Sequence, residues 1–322
     1  MKVLISAYPF AEVSDASIKL LKEHDCEVIL NTSGKKYNFD ELASKITNVD
    51  AVICGTELFD RKLLSRAKNL KLLSRVGIGL DNVDFDCTRE MGIIVAYTPD
   101  APSLSVAELT IGHMLSLLRY IDKSNNEIKS ALWKRHIGHL LCDKTIGIVG
   151  VGRIGKLVIK ILQSFHPTII ANDIFPDEPF AKEYNFQFVS KEELLKKADV
   201  VTIHIPLYDK TYNFISSKEI DLMPADSIII NTSRGNIVDE EALLRALESK
   251  KLAGAGLDVF SEEPYNVKMD SKLAQMSNVV MTAHMGSCTR TGRYLMEYGA
   301  AEAVIDIKYG RKLKNIAHPL KY

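Results

Sequence analysis

Thr145-Ile146-Gly147-Ile148-Val149 runs straight into Gly150-Val151-Gly152-Arg153-Ile154-Gly155, and behind it Ile154, Leu157, Val158 and Ile161 recur at the spacing of an amphipathic helix. A strand that turns through G-x-G-x-x-G into a helix opens a doubly wound α/β domain. Gly150 permits the tight turn, Gly152 lets a pyrophosphate approach the backbone, and Gly155 lets helix and strand pack closely, while the free N–H groups of the helix start suit an anion. The glycines alone would fit an ordinary turn, so the flanking strand and helix carry the reading. The next apolar run, Thr168 to Asn172, ends at Asp173, 18 positions beyond Gly155. An acid there accepts hydrogen bonds from both hydroxyls of an adenosine ribose and repels a 2′-phosphate. Ile174 and Phe175 add no cation, so the expected dinucleotide is NAD rather than NADP.

Outward from this stretch, apolar runs at Thr145 to Val149, Thr168 to Asn172, Val200 to His204, Ile228 to Asn231, Ala255 to Val259 and Val279 to Thr282 predict six parallel strands. Upstream, Lys2 to Ser6, Val28 to Leu30, Ala51 to Cys54, Leu72 to Arg75 and Ile93 to Ala96 predict another α/β domain. Thr98-Pro99-Asp100-Ala101-Pro102 continues neither element and reads as a linker. Ser105-Val106-Ala107-Glu108 fits a capping box at the start of a long helix. Apolar residues nearly surround that helix from Ile111 to Leu118, which points to burial against its own domain and against a second subunit of a homodimer. Thr289 to Tyr309 is helix-like and is expected to pack back on the first domain. The expected organisation is a substrate-binding domain of residues 1–98 plus 289–322, flavodoxin-like, and a Rossmann NAD-binding domain of residues 99–288.

At 322 residues the chain is long enough for two cores, and 46% hydrophobic with 25% charged residues is ordinary for a globular protein. Lysines and arginines, 41 together, balance 41 acids, so no general field attracts polyanions, and neither nucleic acid nor a membrane is an expected partner. The opening residues form a strand-like run rather than a leader, and no apolar run approaches the roughly 18 residues of a bilayer span. A cytoplasmic protein is expected. Cys26, Cys54, Cys87, Cys142 and Cys288 form no C-x-x-C pair and read as reduced thiols. His284 and Cys288 lack the second ligand pair that zinc requires, so no metal is expected.

Ligands of doubly wound sheets sit outside the carboxyl ends of the strands. Polar residues accumulate at those ends: His204-Ile205-Pro206, Asn231-Thr232-Ser233-Arg234-Gly235, Asp258 and His284. One such residue is usually a satisfied cap; several together predict a site. Reduction of a keto acid needs a cation to hold the carboxylate and polarise the carbonyl, and an acid to protonate the new alkoxide. Arg234 suits the first task, since its planar fork stays charged, and His284 the second, since imidazole titrates near neutrality. Glu263, within Glu262-Glu263-Pro264, is suited to steadying the imidazole and favouring its protonated form.

Gly150 to Gly155, Asn231 to Gly235, Asp258-Val259-Phe260 with Glu263-Pro264, and Thr282-Ala283-His284 together resemble the D-isomer-specific 2-hydroxyacid dehydrogenases, in that family's order. Arg75-Val76-Gly77-Ile78-Gly79-Leu80-Asp81-Asn82-Val83-Asp84 and Val106-Ala107-Glu108 are similar to its substrate loop and interdomain helix. The resemblance implies an NAD-dependent exchange of hydride with a small 2-hydroxy or 2-keto acid, with Arg234, Glu263 and His284 catalytic. It implies NAD contacts from Gly152, Arg153, Ile154, Asp173, Thr232 and Asp258, to which the strand ends add Gly150, Gly155, His204, Pro206 and Gly286. The backbone at Val76 and Gly77 is implied to bind the substrate carboxylate; Gly77-Ile78-Gly79 is suited to an anion nest, and Arg75 is the candidate partner of a substrate phosphate. No Lys-Ser or Lys-Thr follows the glycines of either loop, which excludes a P-loop.

Two residues depart from the family's pattern. Ala283 stands where proline commonly precedes the catalytic histidine, and Tyr97 where asparagine commonly precedes Thr98-Pro99, which bears on loop rigidity and closure. Met285, Gly286, Ser287 and Cys288 are mostly small where lactate-specific members carry aromatics, which favours the phosphoglycerate, glycerate or hydroxypyruvate branch. The chain ends at Tyr322 without room for a C-terminal regulatory domain, so feedback by serine is not expected. The rival reading is an NAD-sensing, non-catalytic protein resembling the C-terminal-binding corepressors; the absence of appended tails favours an enzyme. Formate dehydrogenase needs an asparagine and a His-Gln pair that this sequence lacks.

Overall fold

Val200-Val201-Thr202-Ile203 is buried at every position, the signature of a strand covered on both faces. In a computed structural model, which describes residues 1–265 and 272–317, both sheets of the chain are of this kind. The chain divides into two compact units, Met1–Pro102 with Ser287–Tyr322, and Ser103–Gly286. Residues 318–322, the end of the segment expected to rejoin the first unit, lie outside the described residues.

The first unit contains strands β1 (Lys2–Ile5), β2 (Glu27–Leu30), β3 (Ala51–Cys54), β4 (Leu72–Arg75) and β5 (Ile94–Tyr97), all parallel, in the order β2-β1-β3-β4-β5. This is the flavodoxin-like order. Helix Arg290–Lys308 belongs to this unit because Met296, Ala300, Ala301, Val304 and Ile305 share one apolar cluster with Val3, Ile5, Ala51, Ile53 and Leu72. The Ser74 hydroxyl also donates to the carbonyl of Ala300 at 2.9 Å, tying the helix to β4.

The second unit contains β6 (Thr145–Val149), β7 (Thr168–Asn172), β8 (Gln187–Phe188), β9 (Val200–Ile203), β10 (Ser227–Asn231), β11 (Leu252–Leu257) and β12 (Val279–Met281). All are parallel, in the order β12-β11-β10-β9-β6-β7-β8, a Rossmann arrangement whose order reverses between β6 and β9. Alternate side chains serve the two faces. Ile146, Ile148, Ile228 and Ile230 meet Ile111, Met114, Val158 and Leu162 on one side, and Val201, Ile203, Ile229 and Leu257 meet Leu194, Leu243 and Leu247 on the other. At about 1.5–3 kcal/mol for each fully buried side chain, these two layers dominate the unit's stability.

Two expectations need correction. Among the described residues seven strands are present rather than six: Gln187–Phe188 is an edge strand of two residues, too short for any periodicity to show. The long helix is Ser103–Arg119, so Ser105 lies inside its first turn and is not its cap. Pro102 sits directly ahead of the helix, where a missing N–H costs nothing, and this lets the helix begin earlier. Within the unit, the helix packs on helix Arg153–Leu162 and on β10, β11 and β12.

Candidate active site

The glycine turn after β6 has the local physics its motif requires. Gly150 has φ of +92°, and a side chain there would lie 2.7 Å from the carbonyl oxygen of His204, the residue that follows β9. A side chain at Gly155 would fall 2.1 Å from the Gly150 carbonyl, so this glycine is what brings helix Arg153–Leu162 down onto the turn. At Gly152, the N-cap of that helix, a side chain would meet nothing within 4 Å, which leaves a cradle at the helix start open to a phosphate. Arg153 and Ile154 are the first two residues of the helix. Asp173, at the end of β7, accepts from the Val151 N–H at 2.7 Å and from the Phe175 N–H at 2.8 Å. The acid is therefore beside the turn, as a ribose partner must be. The residues present fit a dinucleotide.

Arg234, Glu263 and His284 come from three separate loops of the same unit and are brought together. Asn231 builds the first loop: its side chain accepts from the Ser233 N–H and hydroxyl at 3.1 and 2.8 Å and donates to the Arg234 carbonyl at 2.8 Å. Gly235 then packs backbone to backbone against Phe260, where a side chain would fall 1.9 Å from the Phe260 carbonyl carbon. That contact sets the Arg234 loop against the loop of Glu263. Glu240 holds the latter from below, accepting from the N–H and hydroxyl of Ser261 at 2.5 and 2.9 Å.

Both oxygens of Glu263 are used. One accepts from the Phe260 N–H at 3.1 Å, and the other meets His284 Nδ1 at 2.5 Å. Burial raises the acid's pKa, but the His284 hydrogen bond and charge, the Phe260 N–H and the charge of Arg234 outweigh it and hold Glu263 below the usual carboxylate range. Glu263 therefore stays ionised between the histidine and the arginine. With Nδ1 committed to Glu263, Nε2 is the nitrogen that remains to handle a substrate proton. The two side chains keep 36% and 34% of their surface exposed, enough to be reached. His284 itself stands in a left-handed conformation, φ 48°, with its N–H on the Asp258 carbonyl at 2.8 Å.

The remaining strand-end residues differ in what they present. Thr232 is buried and bonds through its hydroxyl to Thr110 at 2.9 Å. Pro206 is exposed after β9. The His204 ring turns inward, with Nε2 3.0 Å from the Thr202 hydroxyl and Nδ1 enclosed without a partner, and burial pushes its pKa down to about 3. Its backbone carbonyl is what faces the glycine turn, while the ring is enclosed. Asp258 is also inward: its carboxylate accepts from the Thr282 hydroxyl at 2.6 Å and from the N–H groups of Met285 and Gly286, both at 2.8 Å. Its contact is with the His284 loop rather than with open space.

In the first unit, the loop after β4 corrects two further expectations. The Val76 N–H donates to the Cys54 carbonyl at 2.9 Å, and the Gly77 N–H to the Thr98 hydroxyl at 2.9 Å, because the pairing with β3 and β5 runs on into the loop. These two groups do not form a vacant anion nest. Arg75 is buried and donates to the carbonyls of Gly79, at 3.1 Å, and of Val76, so it braces its own loop rather than offering a cation to a phosphate.

The model of the D-isomer specific 2-hydroxyacid dehydrogenase NAD binding domain matches residues 111–286. The chain belongs to the D-isomer-specific 2-hydroxyacid dehydrogenase family. The D-3-phosphoglycerate dehydrogenase of Methanocaldococcus jannaschii is 37% identical over 307 residues, covering 94% of this chain and 57% of that protein. The chain thus spans little more than half the length of this relative. The glyoxylate reductase of Pyrococcus horikoshii is 33% identical over 309 residues, covering 93% of this chain and 91% of that one. Among solved structures, a protein from Thermus thermophilus superposes with a TM-score of 0.91 at 32% identity, covering 99% of this chain and all of that one.

For this family member, sequence reasoning missed two buried polar residues. Glu57, after β3, is 2% exposed; one oxygen accepts from the Gly55 N–H at 2.7 Å and the other has no partner. His113, on the long helix, is equally buried and reaches Thr282. His113 lies in the apolar run Ile111-Gly112-His113-Met114-Leu115, where a polar residue is uncommon, and that misfit was its available signal; Glu57, between Thr56 and Leu58, carries none. No helix among the described residues is long and apolar enough to cross a membrane.

Proposed function

We propose that this chain is an NAD-dependent D-2-hydroxyacid dehydrogenase that reduces a small 2-keto acid, and oxidises the corresponding 2-hydroxy acid, with His284 as proton donor and acceptor. The observation that carries the reading is the 2.5 Å pair of His284 and Glu263, with the charge of Arg234 acting on the same carboxylate. Gly150 to Gly155 and Asp173 would hold the dinucleotide, which as NADH would give hydride to the 2-carbon of the keto acid and as NAD+ would take it from the hydroxy acid. Arg234 binds the substrate carboxylate and polarises the neighbouring carbonyl, acting where negative charge develops. His284, protonated and held by Glu263 at Nδ1, delivers the Nε2 proton to the carbonyl oxygen and takes it back in the reverse direction.

Purified protein is expected to oxidise NADH with at least one of glyoxylate, hydroxypyruvate, pyruvate, a branched 2-keto acid or phosphohydroxypyruvate, and to prefer NADH to NADPH. His284→Asn and Arg234→Ala are expected to lose about 100-fold or more in kcat while still binding NADH. Inactivity with every acid would defeat the enzymatic reading and leave the NAD-sensing one. Self-association is part of the proposal, supported by one stretch of the second unit in which Trp133 is 81% and Ile137 94% exposed, with Ile128, Leu132 and Leu140 also exposed. Light scattering is expected to find a dimer, and Trp133→Glu with Ile137→Asp to find a monomer.

A further inference from the structure

His113, Thr282 and Asp258 form a continuous chain, buried at His113 and Asp258 and half-buried at Thr282, that ends on the loop carrying His284. Asp258 follows β11 and Thr282 follows β12, so both stand at the carboxyl edge of the sheet beneath that loop. His113 Nε2 lies 3.0 Å from the Thr282 hydroxyl, which lies 2.6 Å from Asp258. The other bonds of Asp258 go to the Met285 and Gly286 N–H groups and, through its backbone carbonyl, to the N–H of His284.

Proton counting sets the direction of each bond. A hydroxyl has one proton, and the carboxylate can only accept, so Thr282 donates to Asp258. Thr282 must then accept from His113, which places a proton on Nε2. Nδ1 is buried without a partner, so a second proton there would find no acceptor. Burial lowers the pKa of His113 against the opposing charge of Asp258, in keeping with a neutral ring that has one defined tautomer. The space for the ring comes from Gly256: a side chain there would lie 2.9 Å from His113 Cβ and 3.0 Å from Nδ1. Gly256, within β11, admits the ring, and Asp258, directly after the strand, supplies the acid it serves.

We propose that His113 is a positioning residue for the loop that presents His284, acting through Thr282 and Asp258. It fixes the Thr282 hydroxyl so that it donates to Asp258, and the carboxylate so held keeps the Met285 and Gly286 N–H groups, which directly follow His284, in register. The inference rests on the reading of His284 as the proton donor, and it has a readout that does not. In His113→Leu, which removes the donor, amide exchange at Met285 and Gly286 is expected to speed up at least about tenfold by NMR, with the rest of the unit unchanged. Nitrogen shifts of the wild-type protein are expected to show His113 protonated at Nε2.

In the active enzyme His113→Leu is expected to lower kcat about tenfold, with NADH affinity within about twofold of wild type. His113→Gln, whose amide can donate at similar reach, is expected to recover most of kcat. Thr282→Val is expected to match His113→Leu, and the double variant to lose no more than either alone, because both cut the same chain. Unchanged exchange at Met285 and Gly286 in a folded His113→Leu protein would overturn the proposal. So would a fall in thermal stability with kcat intact, or a folded His113→Gln that rescues nothing. If the wild type turns over none of the acids while the exchange result holds, it is the functional reading that fails and the positioning network that stands.

Discussion

His204, named from the sequence among the cofactor contacts, offers a quantitative test because its ring is enclosed. In the folded chain its ring stays neutral down to about pH 3, whereas free imidazole takes up its proton near 6.5. Between those values the unfolded state binds a proton that the folded state refuses, so this residue removes stability as pH falls through 6.5 and continues to do so until about 3. From about pH 7.5 to about pH 5.5 the loss from this one group is about 1.4 kcal/mol, since the protonated fraction of unfolded imidazoles rises from about one-tenth to about nine-tenths over that interval. The test compares wild type with His204→Gln, whose amide can still meet Thr202 but does not titrate. Urea unfolding followed by circular dichroism at both pH values should show the wild type losing about 1.4 kcal/mol more than the variant. His113, whose pKa burial also lowers, is present in both proteins and cancels. NADH affinity at the higher pH should be unchanged within about threefold. Equal pH dependence of the two proteins, or a large loss of NADH binding in His204→Gln, would show that the ring is not enclosed and neutral.

Asp173→Ser should weaken NADH binding about tenfold and narrow the preference over NADPH, measured by fluorescence titration of both, because the ribose loses its acceptor and a 2′-phosphate loses a repulsion. Gly155→Ala should cost at least about 3 kcal/mol and abolish NADH binding, since the methyl would lie 2.1 Å from the Gly150 carbonyl; denaturant midpoints and titration check both. Gly235→Ala should lower kcat far more than it weakens NADH binding, because the methyl would drive the Arg234 loop away from Phe260 and the Glu263 loop.

What could be read from the sequence was whatever depends on local geometry. G-x-G-x-x-G, the acid after the second strand and the N-T-S-R-G turn each need particular residues at fixed offsets, and each occupies its expected place. The trio Arg234, Glu263 and His284 is spread over some fifty residues, yet every member is tied to a strand end, and parallel pairing aligns those ends. The failures arose where direction rather than position mattered. His204 follows a strand, but its ring is enclosed and its backbone carbonyl is what faces the glycine turn. Val76 and Gly77 follow β4, but the Val76 N–H continues the ladder to Cys54 and the Gly77 N–H is taken by the Thr98 hydroxyl, which no spacing announces. His113 was illegible because its partners are more than a hundred residues away, and helical periodicity counts only whether a position is inside. The strand at Gln187–Phe188 is shorter than one repeat of the pattern that would reveal it.

The contact between Gly235 and Phe260 is made by main chain alone. Arg234 and Glu263 therefore owe their spacing to two stretches of backbone in contact, and the side chains around them can change without altering it. Such a joint lets a lineage exchange the residues that greet different acids while the proton-handling pair and its cation keep their distance. Across so many relatives named for different substrates, variation in selectivity is expected to accumulate everywhere except at this glycine.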